Sequence, residues 1–115
     1  MLMKLLKFKP RREHGGLRVT IPKKKLGLAK IDSLQLLKLD NRLREPYHTN
    51  KFGRVACLVI EGWMEAECDG SKYLLKKNQG ILFEPGERHK ITRGEGIMLS
   101  VSSEDYKAAL GTVYR

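Results

Sequence analysis

The sequence predicts an all-β barrel or sandwich, and three observations carry that expectation. Short β-branched and apolar runs recur about every 8–12 residues, separated by Gly, Pro, Asn and Asp clusters. A strict period of two runs from Met64 to Asp69, as in a strand with one wet face. No segment before the tail carries a helical apolar stripe.

The elements follow in chain order. Pro10, Gly15-Gly16, Pro22 and Gly27 punctuate the opening residues and allow only short pieces, such as a strand over 17–21. Residues 26–39 are apolar without a helical face. Ser33 and the Leu34-Gln35-Leu36 alternation predict a strand there, bulged at Leu36-Leu37. Arg44-Glu45-Pro46 predicts a turn, because proline pushes the residue before it out of the helical region. Val55-Ala56-Cys57-Leu58-Val59-Ile60 has strand composition and length, and Glu61-Gly62 predicts a tight turn after it. In the next strand Met64, Ala66 and Cys68 share one side, and Glu65, Glu67 and Asp69 share the other. Asp69-Gly70 is a hairpin signal, and residues 72–76 return as a strand. Asn78-Gln79-Gly80 turns into Ile81-Leu82-Phe83, and Pro85-Gly86 turns into a strand over 88–92. Gly94-Glu95-Gly96 predicts another turn, followed by a strand over 97–102. Only the tail predicts a helix, with Ser103 as cap, Glu104 and Asp105 in the first turn, and Gly111 at its end.

The chain has 115 residues, 41% hydrophobic and 31% charged, which suits one folded domain and excludes intrinsic disorder. No apolar run reaches the roughly 18 residues of a membrane span. Lysines interrupt Met1-Leu2-Met3-Lys4-Leu5-Leu6-Lys7, so a signal peptide is not expected, and the default location is the cytoplasm. Two cysteines make no disulfide framework, and no bond between Cys57 and Cys68 is expected. The net charge is +10, and it is unevenly placed: residues 1–30 carry ten basic groups and one acid, the rest thirteen basic and twelve acidic. The expected division is a basic segment over 1–16 and a single barrel domain over 17–115. A positive strip attracts anions, including nucleic-acid phosphates. Only Phe8 offers a stacking surface among these charges, so nucleic acid is not the favoured partner. A Lys- and Glu-rich, Gln-poor chain also suits a heat-adapted source.

Two segments over residues 42–93 resemble the motifs of the cupin family, G(x)5HxH(x)3-4E(x)6G and G(x)5PxG(x)2H(x)3N. Anchored on Gly62, the first places His48 at the first histidine, Asn50 at the second, Val55 at the glutamate and Arg42 at the opening glycine. The second is matched by Gly86 and His89. Pro85 lies one place from the motif proline, and Asn78 and Arg93 replace the first glycine and the final asparagine. The most specific stretch is Gly80-Ile81-Leu82-Phe83-Glu84-Pro85-Gly86-Glu87-Arg88-His89, with Leu58-Val59-Ile60-Glu61-Gly62 before it. The resemblance implies a double-stranded jelly-roll β-barrel with a pocket inside, commonly paired as a homodimer. It also implies one divalent metal (Fe, Mn, Ni or Zn), held in the family by three histidines and a glutamate.

Here His48 and His89 are the standard donors; Asn50 is a poor one, and Val55 offers nothing. Cys57 follows Val55 by two and so shares its face, which makes His48, His89 and Cys57 the candidate metal set. His14 sits in the basic segment and is expected in solvent. Residues 89, 91 and 93 share a strand face, so Arg93 can join His89 in the pocket and grip an anionic group; the alternative is a surface pair with Glu95. Tyr47, Asn50, Lys51 and Arg54 are further candidates for the mouth. Three functions compete. One is a barrel binding a small anionic metabolite, of sugar or sugar-phosphate class, through His48, Asn50, His89, Arg93 and Tyr47. The second is a metal-dependent isomerase, epimerase or dioxygenase. The third is an interaction protein using the basic segment. The absence of Glu at 55 and His at 50 favours the first.

Overall fold

The structure is a computed structural model that describes residues 9–50, 53–103 and 112–114. The alternating and β-branched runs become β1 (Arg11–Glu13), β2 (Gly16–Pro22), the single helical turn α1 (Lys23–Leu26), β3 (Ile31–Leu39), β4 (His48–Asn50) and β5 (Val55–Cys68). They continue as β6 (Ser71–Lys76), β7 (Gly80–Phe83), β8 (His89–Ser103) and β9 (Thr112–Tyr114). The sheet order is β1-β2-β3-β8-β4-β9, and β5 pairs with β6, β7 and β8. All pairings are antiparallel. Among the described residues no helix is long and apolar enough to cross a membrane.

The core lies between the inward faces: Leu37 and Leu39 of β3, Leu43, Val59, Met64 and Ala66 of β5, Phe83 of β7, and Ile91 and Met98 of β8. Each fully buried large side chain contributes about 1.5–3 kcal/mol.

Two expected turns are instead crossings inside long strands. Glu61-Gly62 lies within β5 and Gly94-Glu95-Gly96 within β8, because these strands stay paired through both segments. The glycines serve close approach. A Cβ on Gly62 (φ 79°) would stand 1.8 Å from the Glu95 carbonyl oxygen, and one on Gly96 (φ 120°) 2.0 Å from that of Glu61. The bend comes from two bulges, with Ile60 the extra residue on β5 and Thr92 the extra residue on β8. Each inverts the in–out alternation of its strand. Val55, Cys57 and Val59 are buried on one side of the first bulge, and Met64 and Ala66 on the other.

The β3 bulge falls at Asp32, between Ile31 and Ser33, and not at Leu36-Leu37. Those two leucines stay in regular register, Leu37 in the core and Leu36 on the outer face. The expected helix covers residues 104–111, outside the described residues; Ser103 itself ends β8. The Asp69-Gly70 hairpin forms as expected, with both residues at positive φ and Cys68 opposite Ser71. Cys57 and Cys68 are free thiols. They lie on one strand, not on two arms of a hairpin.

Candidate functional site

Pairing of β4 with β8 sets His48 directly opposite His89. Their ring centroids are 4.3 Å apart, edge to face, and the ring of Phe83 stacks on His89 at 3.9 Å. Nδ1–H of His48 donates to the Pro46 carbonyl at 3.0 Å, and Nδ1–H of His89 donates to the Glu87 carbonyl at 2.9 Å. A carbonyl can only accept, so each bond fixes the proton on Nδ1. His89 is 2% exposed. Burial, reinforced by the neighbouring His48, pushes its pKa down to about 4, against an opposing pull from the Glu87 carbonyl. The ring is neutral at pH 7, with its lone pair on Nε2.

A second group reaches the same space from β2. Arg18 lies opposite Leu37 on the inward face. Its Nη1 donates to Gln35 Oε1 at 2.7 Å and its Nη2 to Glu45 Oε2 at 3.3 Å. The other Glu45 oxygen accepts from the Ile91 backbone N–H at 3.2 Å and stands 3.7 Å from His48 Nδ1. The Arg18 and Glu45 side chains are 13% and 7% exposed, so this is a buried ion pair. Arg18 Nε is buried with no hydrogen-bond partner.

These residues line a cavity of about 110 Å³, together with Asn50, Val55, Cys57, Phe83, Ser100 and Ser102. His48, Asn50, Val55 and His89, the residues at the four motif ligand positions, therefore converge on one space. Cys57 joins them as expected from its spacing to Val55. His14, expected in solvent, is half-buried and lines the rim.

Three expected site residues, Arg93, Tyr47 and Arg54, lie elsewhere. Arg93 is 68% exposed and pairs with Glu65 Oε2 at 3.2 Å, its guanidinium 5.5 Å from the Trp63 ring centroid. The Thr92 bulge turns it away from the face of His89 and Ile91. Tyr47 is covered by the Arg88 guanidinium at 4.1 Å and the Lys90 ammonium at 4.3 Å, and does not line the cavity. Arg54 pairs with Glu84 at 2.8 Å on the surface, and Lys51 is outside the described residues.

The donor set does not suit the family's transition metal. His48, His89 and Cys57 do not bring three ligand atoms within 4.8 Å of one another; among the described residues only Cys68, Asp69 and Glu87 do. Burial pushes the Cys57 thiol up to about 12, so it is protonated, with its Sγ 3.9 Å from Ser100 Oγ. Glu45, a carboxylate 3.7 Å from His48 Nδ1, is committed to Arg18 and the Ile91 N–H.

Sequence reasoning missed Arg18, Gln35 and Glu45. In Leu17-Arg18-Val19-Thr20-Ile21 the apolar residues look like the inward set, yet Arg18 and Thr20 face inward and Leu17, Val19 and Ile21 outward. Glu45 precedes a proline in a loop and carries no signal of burial.

No protein-family model matches the sequence, and no curated protein does. Solved structures do match. A protein from Planctomyces limnophilus superposes with a TM-score of 0.72 at 16% identity, covering 99% of this chain and 96% of that one. Streptomyces Pac13, described as a nucleoside dehydratase, has a TM-score of 0.72 at 10% identity, covering 97% and 92%. KdgF from Halomonas sp. has a TM-score of 0.68 at 15% identity, covering 91% and 92%. The chain has the cupin-type barrel fold.

Proposed function

We propose that this cupin-type barrel is a binding protein for a small polar molecule, held between Arg18, His48, Asn50 and His89. The observation that carries the reading is the buried Nε of Arg18, a donor with no acceptor on a side chain that lines the cavity. Leaving such a donor unmade costs about 1–3 kcal/mol, and a ligand oxygen would satisfy it. The neutral His89 accepts a hydrogen bond at Nε2, and Ser100 and Asn50 add hydroxyl and amide groups. A cavity of about 110 Å³ holds three or four waters at roughly 30 Å³ each, or a ligand group of that size. Variants of the structurally similar Pac13 were solved with uridine, which supports a small polar organic molecule as the kind of ligand. With Arg93 outside, Arg18 takes over the role of the pocket cation.

The test is a protein-observed NMR titration with nucleosides, polyols and hydroxy acids. At least one class should give saturable shifts at His48, His89 and Ser100, abolished by the cavity-filling Ser102→Leu. If no class shifts these residues at about 10 mM, an affinity below that of most specific sites, the reading is overturned.

A homodimer belongs to the same proposal. Val19, Leu36, Leu99 and Leu58 are cross-strand neighbours on the outer face, with Leu36 46% and Leu58 39% exposed. A contiguous apolar strip of this kind suits a second copy. Light scattering at about 100 µM should report a dimer, and Leu36→Glu with Leu58→Glu should give the 13.2 kDa monomer. A monomeric parent would refute it.

A further inference from the structure

We propose that the cleft beside the cavity is an anion-binding annex, which takes a phosphate or carboxylate group on the same ligand whose uncharged end meets His48 and His89. The shared ligand rests on the binding function proposed for the cavity; the cleft stands on its own geometry, charge and register.

The first is geometry. Lys9, Arg11, Arg18 and Lys25 line a cleft of about 600 Å³, with Glu13, Thr20 and Gln35. Arg18, Gln35 and Glu13 are common walls of cleft and cavity. The cavity alone is smaller than the roughly 300–1,000 Å³ of ordinary ligand sites, whereas the cleft falls within that range. A ligand of ordinary size must therefore extend past Arg18 into the cleft.

The second is charge. Several cations elsewhere meet acids: Arg12 with Asp40, Arg54 with Glu84, Lys90 with Glu67, Arg93 with Glu65. Lys9, Arg11 and Lys25 have no ion-pair partner among the described residues. Solubility asks only for charge on the surface, at any position. It does not ask for three uncompensated cations around one concave face.

The third is register. Arg11 of β1 lies directly opposite Arg18 of β2. Like charges in that relation destabilise a strand pair, and an anion between them removes the repulsion. Arg18 is already held by Gln35 and Glu45, so its orientation is set before any ligand arrives.

The test is calorimetric titration of the full chain with inorganic pyrophosphate at about 50 mM salt, where screening is weak. Saturable binding is expected, with Arg11→Gln and Lys25→Gln each weakening it about tenfold. Lys72→Gln and Lys76→Gln, on β6, should leave it unchanged. Absence of saturable binding at about 10 mM overturns the proposal, as does equal weakening by the β6 variants. An oligo(dT) strand that binds more than about tenfold tighter than pyrophosphate overturns it in favour of a nucleic-acid surface. Ser102→Leu separates the two readings, since it closes the cavity and should leave pyrophosphate binding intact. Failure of the cavity titration with pyrophosphate still bound refutes only the uncharged half.

Discussion

His89 makes the folded state sensitive to mild acid. Its pKa is about 4 in the folded protein against 6.5 for the unperturbed group. The folded value is the lower one, so below 6.5 the unfolded chain binds the extra proton and gains. The stability tied to the neutral ring is fully present above about pH 6.5 and is lost as pH falls toward 4. One group with these values costs about 2 kcal/mol between pH 7 and pH 5, because each tenfold difference in proton affinity is worth about 1.4 kcal/mol. The titratable groups acting on the ring are His48 across the strand pair and Glu87 in the preceding turn, while Glu45, from the loop before β4, stands beside His48. Asp40 and Glu65 are held below their ordinary values, by the Arg42 backbone N–H and the Thr92 hydroxyl respectively. The assay is urea unfolding at pH 7, 6 and 5, for the parent and for His89→Asn, whose amide can still donate to the Glu87 carbonyl. The parent should lose about 2 kcal/mol and the variant far less. Equal slopes, or a His89 ring titrating above pH 6 by NMR, would refute the reasoning.

Three further outcomes follow from the same geometry. Arg18→Met strands Glu45 as a buried charge and should cost about 3–5 kcal/mol in urea unfolding, while Arg18→Met with Glu45→Leu should recover most of it. A single-variant loss under about 1 kcal/mol would contradict a buried pair. Gly62→Ala places its Cβ 1.8 Å from the Glu95 carbonyl oxygen and should lower the melting temperature sharply or prevent folding, whereas Gly70→Ala, with nothing within 4 Å, should be milder. Burial holds the thiols of Cys57 and Cys68 up, to about 12 and about 11, so a disulfide reagent at pH 8 should label the half-exposed Cys68 slowly and the buried Cys57 only on unfolding. Rapid labelling of Cys57 in the folded protein would show that the cavity wall is open.

The barrel and the convergence of His48 with His89 are legible because period-two patterns and turn residues are local signals. The hairpin at Asp69-Gly70 and the strand ends near Gly80 and Phe83 follow from them directly. The placement of Arg93 is not legible, because a bulge at Thr92 is a relation between two strands. One inserted residue moves every later side chain to the other face. Gly62 and Gly96 look like turn residues for a related reason. Glycine announces that the backbone needs room or positive φ, and it does not say whether the neighbour is its own chain reversing or a partner strand crossing. Arg18 is hidden by the rule that apolar residues point inward, which fails on a sheet with an apolar outer face.

That failure also explains why a cavity exists. The inward rows run across β3, β8 and β5 in register. One is apolar, Leu37 with Met98 and Val59; the next is Gln35 with Ser100 and Cys57; the one after is Ser33 with Ser102 and Val55. Side-chain bulk therefore falls along the barrel, from a packed end that supplies stability to an end too sparsely filled to close. Arg18 springs from the row of Leu37, and its guanidinium reaches toward the sparser end to meet Gln35 and Glu45. The stability of the fold and the space for a ligand are thus two ends of one gradient, read along the same three strands.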